Sequence, residues 1–72
     1  MKIYLPDRDY AIRRGFKYHI QWMEDGNVCF FRRTTAAQAE KDLHDLKAAG
    51  HSPVIVDAIT GEPANIQKET TS

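Results

Sequence analysis

The stretch YHIQWMEDGNVCFFRR, residues 18–33, constrains the fold more than any other because it is built around Asp25-Gly26. Both central positions of a two-residue type I′ turn need positive φ, and an aspartate followed by a glycine supplies it. A turn of that kind leaves no choice of register. One face of the hairpin then pairs Trp22 with Cys29, Ile20 with Phe31 and Tyr18 with Arg33. The other pairs Met23 with Val28, Gln21 with Phe30 and His19 with Arg32. Large apolar side chains project from both faces, whereas an antiparallel hairpin ordinarily gives one face to a core and the other to water. The second face therefore needs a cover or a partner.

A chain of 72 residues makes one domain. At this size folding buries only about 60% of the surface the unfolded chain exposes, so stability is marginal without a metal, a disulfide or a partner. Cys29 is the single cysteine, which rules out a disulfide within the chain and points to a reducing, cytoplasmic setting. It reads as a small core residue rather than a reactive thiol. The opening MKIYLPDRDY has no apolar run of the kind a signal peptide or membrane span requires, so no membrane is expected. Formal charge is zero but unevenly spread. Residues 1–33 carry seven Lys and Arg against four Asp and Glu, and residues 34–72 carry three against six. All five arginines lie in the first half.

After the hairpin, TTAAQAEKDLHDLKAAG reads as a helix. Thr35 and Gln38 have capping-box spacing, and Gly50 stands where a C-terminal cap favours a left-handed residue. Ala36, Ala39, Leu43, Leu46 and Gly50 form one narrow apolar stripe, with Trp22, Leu43 and Leu46 as the expected core and Cys29 beneath the helix. VIVDAI, between Ser52-Pro53 and the turn residues Thr60-Gly61-Glu62-Pro63, reads as a strand. Strand, helix and strand make a right-handed crossover that sets the last strand beside residues 16–23, antiparallel to them. The expected class is α+β: a small split β-α-β antiparallel sheet of three to four strands with one helix packed on one face. Residues 16–66 form this ββαβ domain, residues 1–15 an N-terminal strand or arm, and residues 67–72 a flexible tail.

With the helix covering Tyr18, Ile20, Trp22, Cys29, Phe31, Val54 and Val56, the far face is expected to carry Met23, Val28, Phe30, Ile55 and Ile59. Five such side chains together rival the largest apolar patch of an ordinary monomer, about 300–600 Å². Either the chain's own ends cover them, through Ile3, Leu5, Ile12 or Ile66, or another protein chain does.

No constellation carries catalysis. His44 and His51 lack a Cys or second His at zinc-site spacing, and glycines 15, 26, 50 and 61 are isolated, so neither a metal, a phosphate loop nor another cofactor is implied. His19 beside Arg32 and Lys17 is the nearest approach to an acid–base set, but a cross-strand His–Arg pair is common on basic sheet faces and is no motif. Arg13, Arg14 and Lys17 enter the hairpin where Arg32 and Arg33 leave it. Those five suit phosphate or an acidic protein surface, with Phe30 or Tyr10 able to stack on a base.

The leading expectation is a non-enzymatic protein-binding module, regulatory or inhibitory, acting on a partner or as a homodimer through the helix-free face. Its size fits a phage or mobile-element product that blocks a host complex. The alternative is a nucleic-acid-binding module using the arginine end.

Overall fold

A computed structural model describes residues 3–64. The hairpin forms as its turn demands. Strand β1 (Tyr18–Glu24) and strand β2 (Asn27–Arg33) pair in the expected register from Glu24–Asn27 to Tyr18–Arg33. Asp25 (φ 53°) and Gly26 (φ 80°) supply the two positive angles.

A short helix, α1 (Arg8–Arg14), precedes the hairpin, and a longer one, α2 (Ala36–Ala48), follows it. The Thr35 hydroxyl accepts from the Gln38 N–H at 3.3 Å, capping α2. The returning Gln38 carboxamide reaches Thr34 N–H at 3.4 Å instead of Thr35, a capping box displaced by one residue. At the other end Gly50 (φ 93°) lets its own N–H reach Lys47 O and that of His51 reach Leu46 O, both at 3.0 Å, which is a Schellman closure. Strand β3 (Val54–Asp57) then pairs antiparallel with β1, giving the sheet order β2-β1-β3. The architecture is α+β, with three antiparallel strands in one open sheet.

Of the two alternatives open for residues 1–15, strand or arm, the described residues 3–15 form no strand. Among the described residues, 3–7 run as an arm and 8–14 form α1, between Asp7 (φ 52°) and Gly15 (φ 76°). This helix buries only Ala11, so it leaves no apolar stripe for sequence periodicity to reveal. The expectation that needs correction is the orientation of β3. Its register sets Ile55 opposite Ile20 and Val56 opposite His19, so Ile55 faces α2 while Val54 and Val56 lie on the far face. A tight turn sets parity in the hairpin, whereas the long α2 crossover carries no local rule for it. Ile66 and the proposed tail lie outside the described residues.

The core sits between β1 and α2: Ile20, Trp22, Ala39 and Leu46 are buried, and Tyr18, Cys29, Leu43 and Ile55 pack around them half-buried. Burying a side chain such as Ile20 contributes about 1.5–3 kcal/mol. Ala39 keeps α2 close to the strands because it has nothing beyond Cβ. The α2 exit is fastened to the hairpin tip, where His51 lies against Trp22 (6.2 Å between ring centroids) and Trp22 donates to Glu24 Oε1 at 3.1 Å.

The two edges of the sheet differ. Beyond β3 the chain turns on Asp57, whose carboxylate accepts from Ile59 and Thr60 N–H at 2.7 and 2.9 Å, and folds back. Asp57 N–H then donates to Glu62 O at 2.7 Å and Ala64 N–H to Ile55 O at 3.2 Å, with Val56 bridged to Pro63. The outer edge of β3 is thereby closed, and a proline sits where no further donor is needed. No comparable segment, among the described residues, pairs with β2.

Candidate interaction surface

The far face of the sheet is covered by the arm. His19 and Gln21 are fully buried beneath it. The Gln21 side-chain oxygen accepts from Tyr4 N–H at 2.9 Å and lies 3.0 Å from His19 Nε2, so one carboxamide joins arm and strand. With Nε2 donating, Nδ1 is a buried acceptor without a hydrogen-bond partner. Burial pushes the His19 pKa below its ordinary value; the Gln21 hydrogen bond opposes that shift and the charge of Arg32 reinforces it. The imidazole is therefore held neutral. Phe30 completes the layer, its ring 5.0 Å from His19 and 6.0 Å, edge-on, from Tyr4. Leu5 presses on the turn after β3, where a Cβ added to Gly61 would meet Leu5 Cδ1 at 2.9 Å.

The five apolar residues expected on one open face are dispersed. Phe30 is half-buried under the arm, Ile55 is half-buried on the helix side, and Ile59 is half-buried in the turn after β3. Met23 and Val28, opposed across the hairpin near its tip, remain 44% exposed each. The expected patch thus contracts to that pair: the arm covers Phe30, strand parity turns Ile55 to the helix side, and the turn after β3 takes up Ile59.

The basic cluster divides as well. Arg32 and Arg33 are successive strand residues and leave opposite faces of the sheet. The Arg32 guanidinium donates to Pro6 O and lies 5.4 Å over Phe30. Arg33 grips both Asp42 oxygens from α2, and that hydrogen bonding raises its pKa. Both arginines thus hold the fold together. Arg13, Arg14 and Lys17 are exposed, and Arg14 folds over Tyr10, donating to its hydroxyl at 3.2 Å.

One residue expected beneath the helix is instead at the surface: Phe31 is 39% exposed. Its ring lies 5.0 Å from Trp22 and carries the Arg33 guanidinium at 4.8 Å. Phe31 stands on β2, an edge strand, so it has a strand neighbour on one side only. The signal available in the sequence was strand order, which makes β2 an edge. Phe31 and Val28 on β2, with Met23 opposite Val28 on β1, give the hairpin an exposed apolar character on both faces.

Among the described residues no group of three or more His, Cys, Asp or Glu could hold a metal ion, and no helix is long and apolar enough to cross a membrane. No family model, curated protein or solved structure matches the chain.

Proposed function

We propose that this chain is a small protein-binding module, regulatory or inhibitory and without catalysis of its own, that meets its partner through the outer side of the β1–β2 hairpin. The supporting observation is the exposure of Val28 and Phe31 on β2, with Met23 opposite Val28 on β1, at a strand edge that no other described segment covers. Strand edges with apolar flanks are the parts of a sheet that other chains most readily join. A cytoplasmic setting belongs to the same proposal and rests on the lone Cys29. Action as a phage or mobile-element product on a host complex rests on size alone.

The nucleic-acid reading draws its support from exposed Arg13, Arg14 and Lys17, but Arg32 and Arg33 are committed to Pro6 and Asp42. Three cations in a chain of zero net charge make a weak polyanion trap. The deciding experiment compares the wild type with Met23→Asp/Val28→Asp in affinity capture from the source cells and in oligonucleotide titration at physiological salt. The expected result is a protein partner lost from the double variant, with helix content unchanged and no oligonucleotide binding by either form. Oligonucleotide affinity that falls steeply with salt and disappears in Arg13→Ala/Arg14→Ala would replace the proposal with the nucleic-acid reading.

A further inference from the structure

We infer that the edge of β2, uncovered among the described residues, is a self-association site, at which a second copy of this chain adds its own β2 antiparallel about a two-fold axis at Phe30. The inference rests on the hairpin-surface reading above and names its occupant.

The first argument is the main chain. A two-residue hairpin closes on the hydrogen-bonded pair Glu24–Asn27, and antiparallel pairing then alternates, so Cys29, Phe31 and Arg33 turn their N–H and C=O toward β1. Lys17 N–H donating to Arg33 O at 2.9 Å agrees with that sense. Val28, Phe30 and Arg32 consequently turn theirs outward, and among the described residues no hydrogen bond reaches those main-chain groups. The other edge of the sheet is closed by residues 62–64, so this one stands out as unfinished.

The second argument is the failure of the usual guard. Charged side chains on an edge strand ordinarily repel a second strand. Here the two charges of β2 are drawn away from the edge: Arg32 reaches back to Pro6 under the arm and Arg33 reaches over Phe31 to Asp42.

The third argument chooses a second copy and its direction. Along the hairpin, charge runs from Glu24 and Asp25 at the tip to Arg32, Arg33 and Lys17 at the base. Two-fold pairing about Phe30 lays the acidic tip of each copy beside the basic base of the other, whereas parallel pairing would set tip against tip. The register opposes Val28 to Arg32 and Asn27 to Arg33, so no like charges face each other. Phe30 meets Phe30 on the arm side, and exposed Phe31 meets Cys29 on the helix side. About six main-chain hydrogen bonds close the joint, two for each of three outward pairs. The product is a continuous six-stranded sheet with both α2 helices on one face.

The test measures solution mass against concentration, together with amide exchange residue by residue. The expected mass rises from 8.2 kDa toward twice that value. As it rises, the amides of Val28, Phe30 and Arg32 should become protected, while those of Cys29, Phe31 and Arg33 are already protected in the monomer. Val28→Pro removes one outward donor from each copy without touching the intramolecular ladder, and should raise the dimer dissociation constant at least about tenfold. Exchange in the wild type alone decides the matter if that variant misfolds. A chain that stays monomeric at millimolar concentration, or a dimer whose 28, 30 and 32 amides exchange freely, overturns the inference. In either case, loss of a heterologous partner from Met23→Asp/Val28→Asp leaves the broader reading standing, so the two failures are separable.

Discussion

Beneath α2 the sheet offers Ile20 and Trp22 to Ala39 and Leu46, whereas on its other side the arm lies on His19 and Gln21, which are just as completely buried. The helix side is apolar and needs no directional partner to be stable. The arm side contains polar groups whose burial is tolerable only while specific hydrogen bonds hold, among them those of the Gln21 carboxamide with Tyr4 N–H and His19 Nε2 and that of Arg32 with Pro6 O. The contrast teaches that equal burial does not mean equal stability. The helix face should fail only with the whole fold, and the arm face should open first and by itself.

The comparison predicts its largest effect at Leu46. Leu46→Ala removes a buried side chain from the layer between α2 and β1, and should cost about 2–5 kcal/mol in denaturant unfolding. That is a large share of what a domain of this size possesses, about 5 kcal/mol. Amide exchange should accelerate across β1 and α2 together. A loss below about 1 kcal/mol would mean that the helix is not what holds the sheet, and the ranking of the two faces would reverse.

A smaller effect is expected at Gln21. Gln21→Ala leaves Tyr4 N–H and His19 Nε2 without their acceptor under the arm, at a cost of about 1–3 kcal/mol. The informative readout is local: the Tyr4 amide should exchange much faster while protection in α2 is retained. Parallel loss in both places would show that arm and helix melt as one unit, which is the outcome that most directly breaks the comparison.

What was legible in the sequence follows the same division. The hairpin register could be read because Asp25-Gly26 sets it locally, and α2 could be read because Thr35, Gln38 and Gly50 mark its ends and an apolar stripe marks its face. The face to which Ile55 belongs was not legible, because its parity is decided across the α2 crossover by how the helix seats on β1. The arm was opaque for a different reason. Two of its holding contacts use the main-chain N–H of Tyr4 and the carbonyl of Pro6, groups that every residue, or nearly every residue, carries and no side-chain pattern announces. The candidate surface inherited both failures: Ile55 left it through parity and Phe30 through the arm. Met23 and Val28 survived because both follow from the hairpin alone, and Phe31 joined them because β2 proved to be an edge.

Acidification should sharpen the comparison with the smallest effect of the three. The pKa of His19 is lowered in the fold, chiefly by burial and further by Arg32, against the opposing hydrogen bond to Gln21. The unfolded imidazole takes up its proton around 6.5, and the folded one only at lower pH. Between those two values the unfolded state binds more protons, so stability rises with pH there. It should be level with respect to this group above about pH 6.5, and decline as pH falls from there toward the folded value. Asp57 titrates in a separate window. Hydrogen bonds from Thr60 and Ile59 N–H lower its pKa from 3.8, so its contribution is present above that value and lost as pH falls through the lower folded one. The first decline on acidification therefore belongs to the arm face, and His19→Phe should flatten it while leaving the Asp57 window in place. An unchanged slope in His19→Phe would move the titration away from the arm face. The effect is bounded for a structural reason. Once the arm lifts, water reaches the imidazole, so protonation requires only local opening and ceases to draw on the stability of the helix face. Exchange at Tyr4 should consequently respond to pH more strongly than exchange in α2, and the gap between the two measures how independent the two faces are.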